Sequence, residues 1–218
     1  MGRHELATVL LLALAAPAVG APRLEEGPGG AAAEAEKRPW ALRFSAYGYL
    51  LPDESAYLLP IAAADHGWLH LEGRYNYEDL RTGSLWVGWN VELGEELKLS
   101  LTPMVGGVFG RLDGVGAGLE WSLAWGPLEL YSENEIVIDL GDVGQSYFYA
   151  WSELSARPVE WLRLGVALQR TRAHAVPLEV SWGPLVGASV WKIELAGYCF
   201  NPGQADARYW VASAGFGL

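Results

Sequence analysis

The sequence predicts an all-β protein folded as a single antiparallel transmembrane β-barrel, with twelve strands as the favoured count and ten as the alternative. Three observations carry this expectation. Apolar and polar residues alternate at period two in pieces of about ten residues, the length a tilted barrel strand needs to cross a membrane. Eleven Trp and ten Tyr stand beside a charged fraction of only 19%. A short apolar run near the N-terminus has the pattern of an export signal.

The export segment comes first in the chain. Arg3 precedes an apolar run from Leu6 to Val19, and Ala18-Val19-Gly20 places small residues where a signal peptidase cuts. The run falls short of the roughly 18 apolar residues a spanning helix requires. The expected division is therefore a signal peptide over 1–20, a disordered periplasmic leader over 21–38 and the barrel over 39–218. The leader, APRLEEGPGGAAAEAEKR, is small, polar and rich in Pro and Gly, so it has little to bury.

From Trp40 onward no stretch sustains the three-and-four spacing of a helix. In 68–77, Leu69, Leu71, Tyr75 and Tyr77 share a face with Gly73, while Trp68, His70, Glu72, Arg74 and Asn76 occupy the other. In 115–125, Val115, Ala117, Leu119, Trp121, Leu123 and Trp125 oppose Gly116, Gly118, Glu120, Ser122 and Ala124. In 161–171, Leu162, Leu164, Val166 and Leu168 oppose Arg163, Gly165, Ala167, Gln169 and Thr171. Strands are expected near 40–51, 55–63, 67–77, 82–92, 96–109, 114–125, 127–139, 146–156, 159–172, 178–190, 192–201 and 207–218. Pro60 interrupts the second, but an even count requires it if both ends lie on one side of the membrane.

Tight connections at 65–67, 93–95, 126–127, 157–158 and 190–191 alternate with looser, more polar ones. Short turns on the periplasmic side and longer loops outside fit that rhythm. Trp125, Trp161 and Trp191 sit beside short turns and Trp40 opens the first strand, which predicts an aromatic girdle at the inner interface.

The last strand, Arg208-Tyr209-Trp210-Val211-Ala212-Ser213-Ala214-Gly215-Phe216-Gly217-Leu218, adds a further pattern. Together with the signal peptide and the alternating strands, it makes the mature chain resemble bacterial outer-membrane β-barrel proteins. The resemblance implies contact with outer-membrane lipids and delivery by the barrel-assembly machinery through that strand. Trp210, Ala212, Ala214 and Phe216 keep the phase of such an assembly signal, and Leu218 stands where an aromatic is usual.

If the apolar faces meet lipid, the opposite faces line the lumen. The acids expected there are Glu72, Glu120, Glu129, Glu133, Glu135, Glu153 and Glu194. The expected bases are Arg43, Arg74, Lys98, Arg163 and Lys192, with His70. Unpaired burial of any of them costs several kcal/mol, so they face water or one another. Glu129, Glu133 and Glu135 share one strand face, and Arg74 and Arg163 are expected to cross the lumen to neutralise them.

Other chemistry is thinly represented. A net charge of -11 disfavours nucleic acid, and the lone Cys199 builds neither a disulfide framework nor a thiolate metal site. No metal or cofactor is called for. His70 with Glu72 resembles a base and its orienting carboxylate, but no G-x-S-x-G elbow supplies a nucleophile, so no catalytic residue is assigned. The leading expectation is a porin-like channel or general outer-membrane barrel. The alternatives are a barrel with a salt-bridged, blocked lumen, a soluble periplasmic barrel with its apolar side inward around a ligand, and a lipid-modifying enzyme.

Overall fold

A computed structural model describes residues 39–52, 54–173 and 178–218. The expected signal peptide and leader lie outside the described residues. The strands are β1 (Ala41–Leu50), β2 (Tyr57–His66), β3 (Leu69–Tyr75), β4 (Thr82–Trp89), β5 (Val91–Leu93), β6 (Leu97–Gly110), β7 (Gly114–Trp125), β8 (Leu128–Asp139), β9 (Tyr147–Val159), β10 (Leu162–Ala173), β11 (Glu179–Val190), β12 (Ile193–Phe200) and β13 (Tyr209–Gly217).

Twelve of them form a closed antiparallel ring. Neighbours in sequence pair as hairpins, and β1 closes on β13 from Arg43↔Gly217 to Leu50↔Trp210. The remaining strand, β5, pairs with β6 alone. Its register continues that of β4, since Gly88 faces Met104 and Val91 faces Leu101. The single strand expected over 82–92 is thus interrupted opposite Pro103, which has no N–H to give to the ladder. Closure pairs each of the twelve ring strands on both sides, and β5 alone keeps an unpaired edge.

Five turns of two or three residues (67–68, 94–96, 126–127, 160–161 and 191–192) gather at one end, where Trp40 and Leu218 also lie. The longer connections, among them 76–81, 140–146 and 201–208, gather at the other. Pro60 remains in β2 because the β2–β3 ladder begins at Ile61, just beyond it. The turn expected at Arg157-Pro158 is instead a bulge: Val159 faces Leu162 and Ala156 faces Leu164, so Arg157 and Pro158 together oppose Arg163. A bulge is one of the few places where a strand tolerates proline. The turn falls at Glu160-Trp161.

The alternation decides which way each face points. Phe44, Leu71, Leu85, Val105, Leu154 and Val186 are exposed on the outside of the ring. Tyr47, Tyr49, Trp86, Tyr149, Trp151 and Glu133 are buried within it. This is the reverse of a soluble carrier, whose apolar side would face inward. An apolar surface running around a closed ring cannot be left to water and matches lipid instead.

Glycines on β6 and β7 make room for the interior. A Cβ added at Gly106 or Gly116 would run into the Trp86 indole, and one at Gly118 would come within 2.9 Å of Met104 Cγ. The Gly-rich stretch is a recess that admits Trp86. The substitution Gly116→Val is expected to destabilise the barrel by about 1–3 kcal/mol through overpacking. Urea unfolding in micelles, followed by tryptophan fluorescence, checks this, and an unchanged midpoint would refute it.

Candidate functional site: a buried ion-pair hub in the lumen

Arg74 lies on the inward face of β3, its side chain 1% exposed. Its Nε donates to Glu72 on the same strand face. Its Nη1 spans the lumen to β8, 3.0 Å from Glu133 and 2.9 Å from Glu135. Its Nη2 lies 3.9 Å from Glu120 of β7. The guanidinium plane rests 4.1 Å from the centre of the Tyr77 ring and 4.9 Å from that of Trp86. A planar fork with five donors suits this arrangement, which a single ammonium could not reproduce.

The acids hold second partners. Glu133 accepts from the Tyr77 hydroxyl, and Glu135 accepts from Tyr147 Oη at 3.1 Å. Tyr77 and Glu78 belong to the 76–81 connection, which folds inward and not out as a solvated loop. Glu78 accepts from Ser84 and, at 3.2 Å, from Trp86 Nε1. Asn76 and Arg81 enter and leave this connection with positive φ (58° and 62°), reversing the chain towards the lumen. In the same connection, burial pushes the Asp79 carboxyl above its ordinary range, although Arg111 Nε at 3.1 Å draws it down.

A second knot lies across the ring. Arg163 of β10 pairs with Glu153 of β9 at 2.9 Å, and Glu153 also accepts from Trp151 Nε1 and Tyr198 Oη, each at 2.9 Å. Aromatic rings fill the space beside it. Tyr57, Tyr49, Tyr209, Phe200 and Tyr198 stack in succession, with centroid spacings of 4.8, 6.4, 4.8 and 6.2 Å. Trp151 meets Phe200 edge-on at 5.1 Å. Such pairs add modest energy to area burial and leave little freedom to move.

Towards the short-turn end, Asp65 collects Arg43 at 3.1 Å, His70 Nδ1 at 2.8 Å and Asn90 Nδ2 at 2.7 Å. His70 is thus hydrogen-bonded through Nδ1 to Asp65, while its Nε2, 3.9 Å from Glu72, makes no hydrogen bond among the described residues. Among the described residues no group of His, Cys, Asp and Glu side chains is arranged to hold a metal ion.

The residues expected in the lumen divide accordingly. Glu72, Arg74, Glu120, Glu133 and Glu135 meet at one hub, Glu153 and Arg163 at another, and Arg43 and His70 at Asp65. Arg163 turns to Glu153 and not to the acids of β8. Glu194 lies at the short-turn mouth, 3.4 Å from Arg157. Glu129 is half-buried, and Lys98 is exposed although in inward phase. Lys192 is not in the lumen: it lies in the 191–192 turn, its Nζ 5.7 Å from the Trp191 ring centre. Trp191 takes a positive φ (57°), and the turn occupies 191–192, so the strand starts at Ile193, one residue later than the expected 192.

Sequence reasoning misses Asp65, Glu78, Ser84 and Trp86, and it sets Tyr77 on the apolar face with Leu69, Leu71 and Tyr75, whereas Tyr77 is buried inside the ring because the chain reverses at Asn76. Asp65 reads as part of a turn, yet it continues the inward phase of Leu59, Ile61 and Ala63. Trp86 shares the inward phase of Thr82 and Ser84. Trp40, Trp125, Trp161 and Trp191 are exposed at the short-turn end, joined there by Trp68 and Trp89, whose rings lie 4.5 Å apart.

No family model matches the chain, and no curated protein matches its sequence. Solved structures similar to it include Pseudomonas aeruginosa OccK5 (OpdH), at TM-score 0.44 and 8% identity over 81% of this chain and 67% of that one. Pseudomonas aeruginosa OccK7 (OpdD) is similar at TM-score 0.43 and 10% identity over 82% and 64%. The chain spans about two thirds of the length of those proteins. A closed antiparallel ring, apolar towards its surroundings and charged within, is the architecture of bacterial outer-membrane β-barrel proteins.

Proposed function

We propose that the chain is a porin-like outer-membrane barrel, exported through its N-terminal signal peptide, whose lumen rests closed on a plug of ion pairs and aromatic rings. Arg74 supports this reading above all. A guanidinium 1% exposed, bonded to carboxylates on opposite walls, occupies the space through which a solute would pass. Elsewhere in the interior, Tyr47, Tyr49, Tyr149 and Trp151 are 0% exposed. A barrel of this strand number has room for more than side chains, so filling it is a feature of this interior and not of the ring size. In this reading the short turns face the periplasm, and the outward side chains Trp210 and Phe216, with Leu218, present β13 to the assembly machinery.

Planar-bilayer recording of the purified barrel tests it. Baseline current broken by rare, brief openings is the expected record. A steady open conductance from the first insertion would overturn the closed lumen, and the leading alternative would then be a permanently open channel.

A further inference from the structure

Apart from His66 at the short-turn rim and the Tyr and Trp rings, the polar outward side chains of the described strands are confined to β8, β9 and β10. Ser132 faces Ser152, and Asn134 faces Ala150. Ala150 in turn faces Arg170, and Phe148 faces Arg172. The five polar residues form one strip. Ala150 points outward yet is fully buried, flanked on its two sides by Asn134 and Arg170.

The neutral members of the strip satisfy one another. The Ser132 and Ser152 hydroxyls are 2.9 Å apart, Ser132 donates to the Trp151 carbonyl at 3.0 Å, and Asn134 Nδ2 donates to Ser132 at 3.1 Å. The arginines are different. Arg170 Nε is buried with no hydrogen-bond partner among the described residues. The ion pairs of the described residues engage Arg43, Arg74, Arg111, Arg157 and Arg163, but neither Arg170 nor Arg172.

We propose that Arg170 and Arg172 bind the phosphate of an anionic lipid headgroup at the long-loop end of the barrel, with its acyl chains lying over Leu168, Val166 and Val180. This rests on the membrane reading above. Charge complementarity selects the occupant: two guanidiniums stand on an apolar wall of a chain whose net charge is -11, so attraction for an anion is local to the strip. Arg172 is one residue and Arg170 three residues from the end of β10, within reach of headgroup level for side chains that lay their stems along apolar surface. Guanidinium forks match phosphate oxygens in pairs.

Native mass spectrometry of the full chain tests this, in micelles doped equally with phosphatidylglycerol and phosphatidylcholine. Each arginine contributes about fivefold to retention of the anionic lipid. R170Q/R172Q is expected to bring retention close to parity, and R172Q alone, altered at an exposed strand end, to lose part of the preference. Excess inorganic phosphate is expected to leave the preference intact. The proposal is overturned if the native barrel shows no preference or if the variants keep it. It is equally overturned if free phosphate abolishes the preference, or if the double variant changes only the oligomeric state, which would make the strip a contact between copies. Heat-modifiable gel mobility of the same samples separates these results from failure of the membrane reading, which would appear as no folded, micelle-bound barrel at all.

Discussion

Replacing Arg74 with alanine is expected to lower the unfolding free energy of the barrel by about 3–5 kcal/mol, the cost of leaving buried charges without their partner. Glu72, Glu133 and Glu135 would lose the cation that holds them together, with Glu120 beside them. Like charges facing one another across a closed ring repel, and in low dielectric they repel strongly. Current through planar bilayers should rise in the same variant. R74K should recover only part of the stability, because one ammonium cannot serve both walls. R74A/E133Q/E135Q should recover more than R74K, since it removes two of the stranded charges. Urea midpoints in micelles, read with the slope to confirm a common unfolding transition, give the comparison. A midpoint for R74A equal to that of the native chain would mean the hub carries no stability, and the plug would lose its basis.

Val105→Arg should be the most damaging change on the outside. Val105 lies near the middle of β6, faces Val87 and Ala117, and is 59% exposed to the surroundings of the ring. An arginine on the lipid face near the bilayer midplane costs about 2–4 kcal/mol. Folding into phospholipid vesicles, scored by heat-modifiable mobility, should fall sharply for V105R and stay near native for V105L. If V105R inserted as well as the native chain, the outward face would not be the lipid face. The pair of variants therefore separates a lipid belt from an apolar surface covered in some other way.

The phase of nearly every strand is legible in the alternation of its residues. Leu162, Leu164, Val166 and Leu168 point out, and Arg163, Ala167 and Gln169 point in, as that alternation requires. The even strand count follows from keeping the segment around Pro60, and the ring closes with it in place. Two local features escape such a reading. Arg157-Pro158 looks like a turn because proline usually ends a strand, but a bulge accommodates it. Lys192 looks like the start of a strand because nothing in a Val-Trp-Lys run announces that Trp191 adopts a positive φ.

The class of the molecule and the two faces of its wall are encoded locally, because side-chain direction along a strand is set within a few residues by the pleat. Which inward side chains meet is a property of the assembled ring alone. Arg74 reaches Glu133 and Glu135, some sixty residues away, whereas Arg163 stops at Glu153 on the neighbouring strand. Those distances follow from the register of every pairing around the ring and from its closure through β1 and β13 and through β4 and β6. They are non-local sums that no single segment encodes. The same holds for the recess at Gly106 and Gly116, which has meaning only once Trp86 of β4 is set against both β6 and β7.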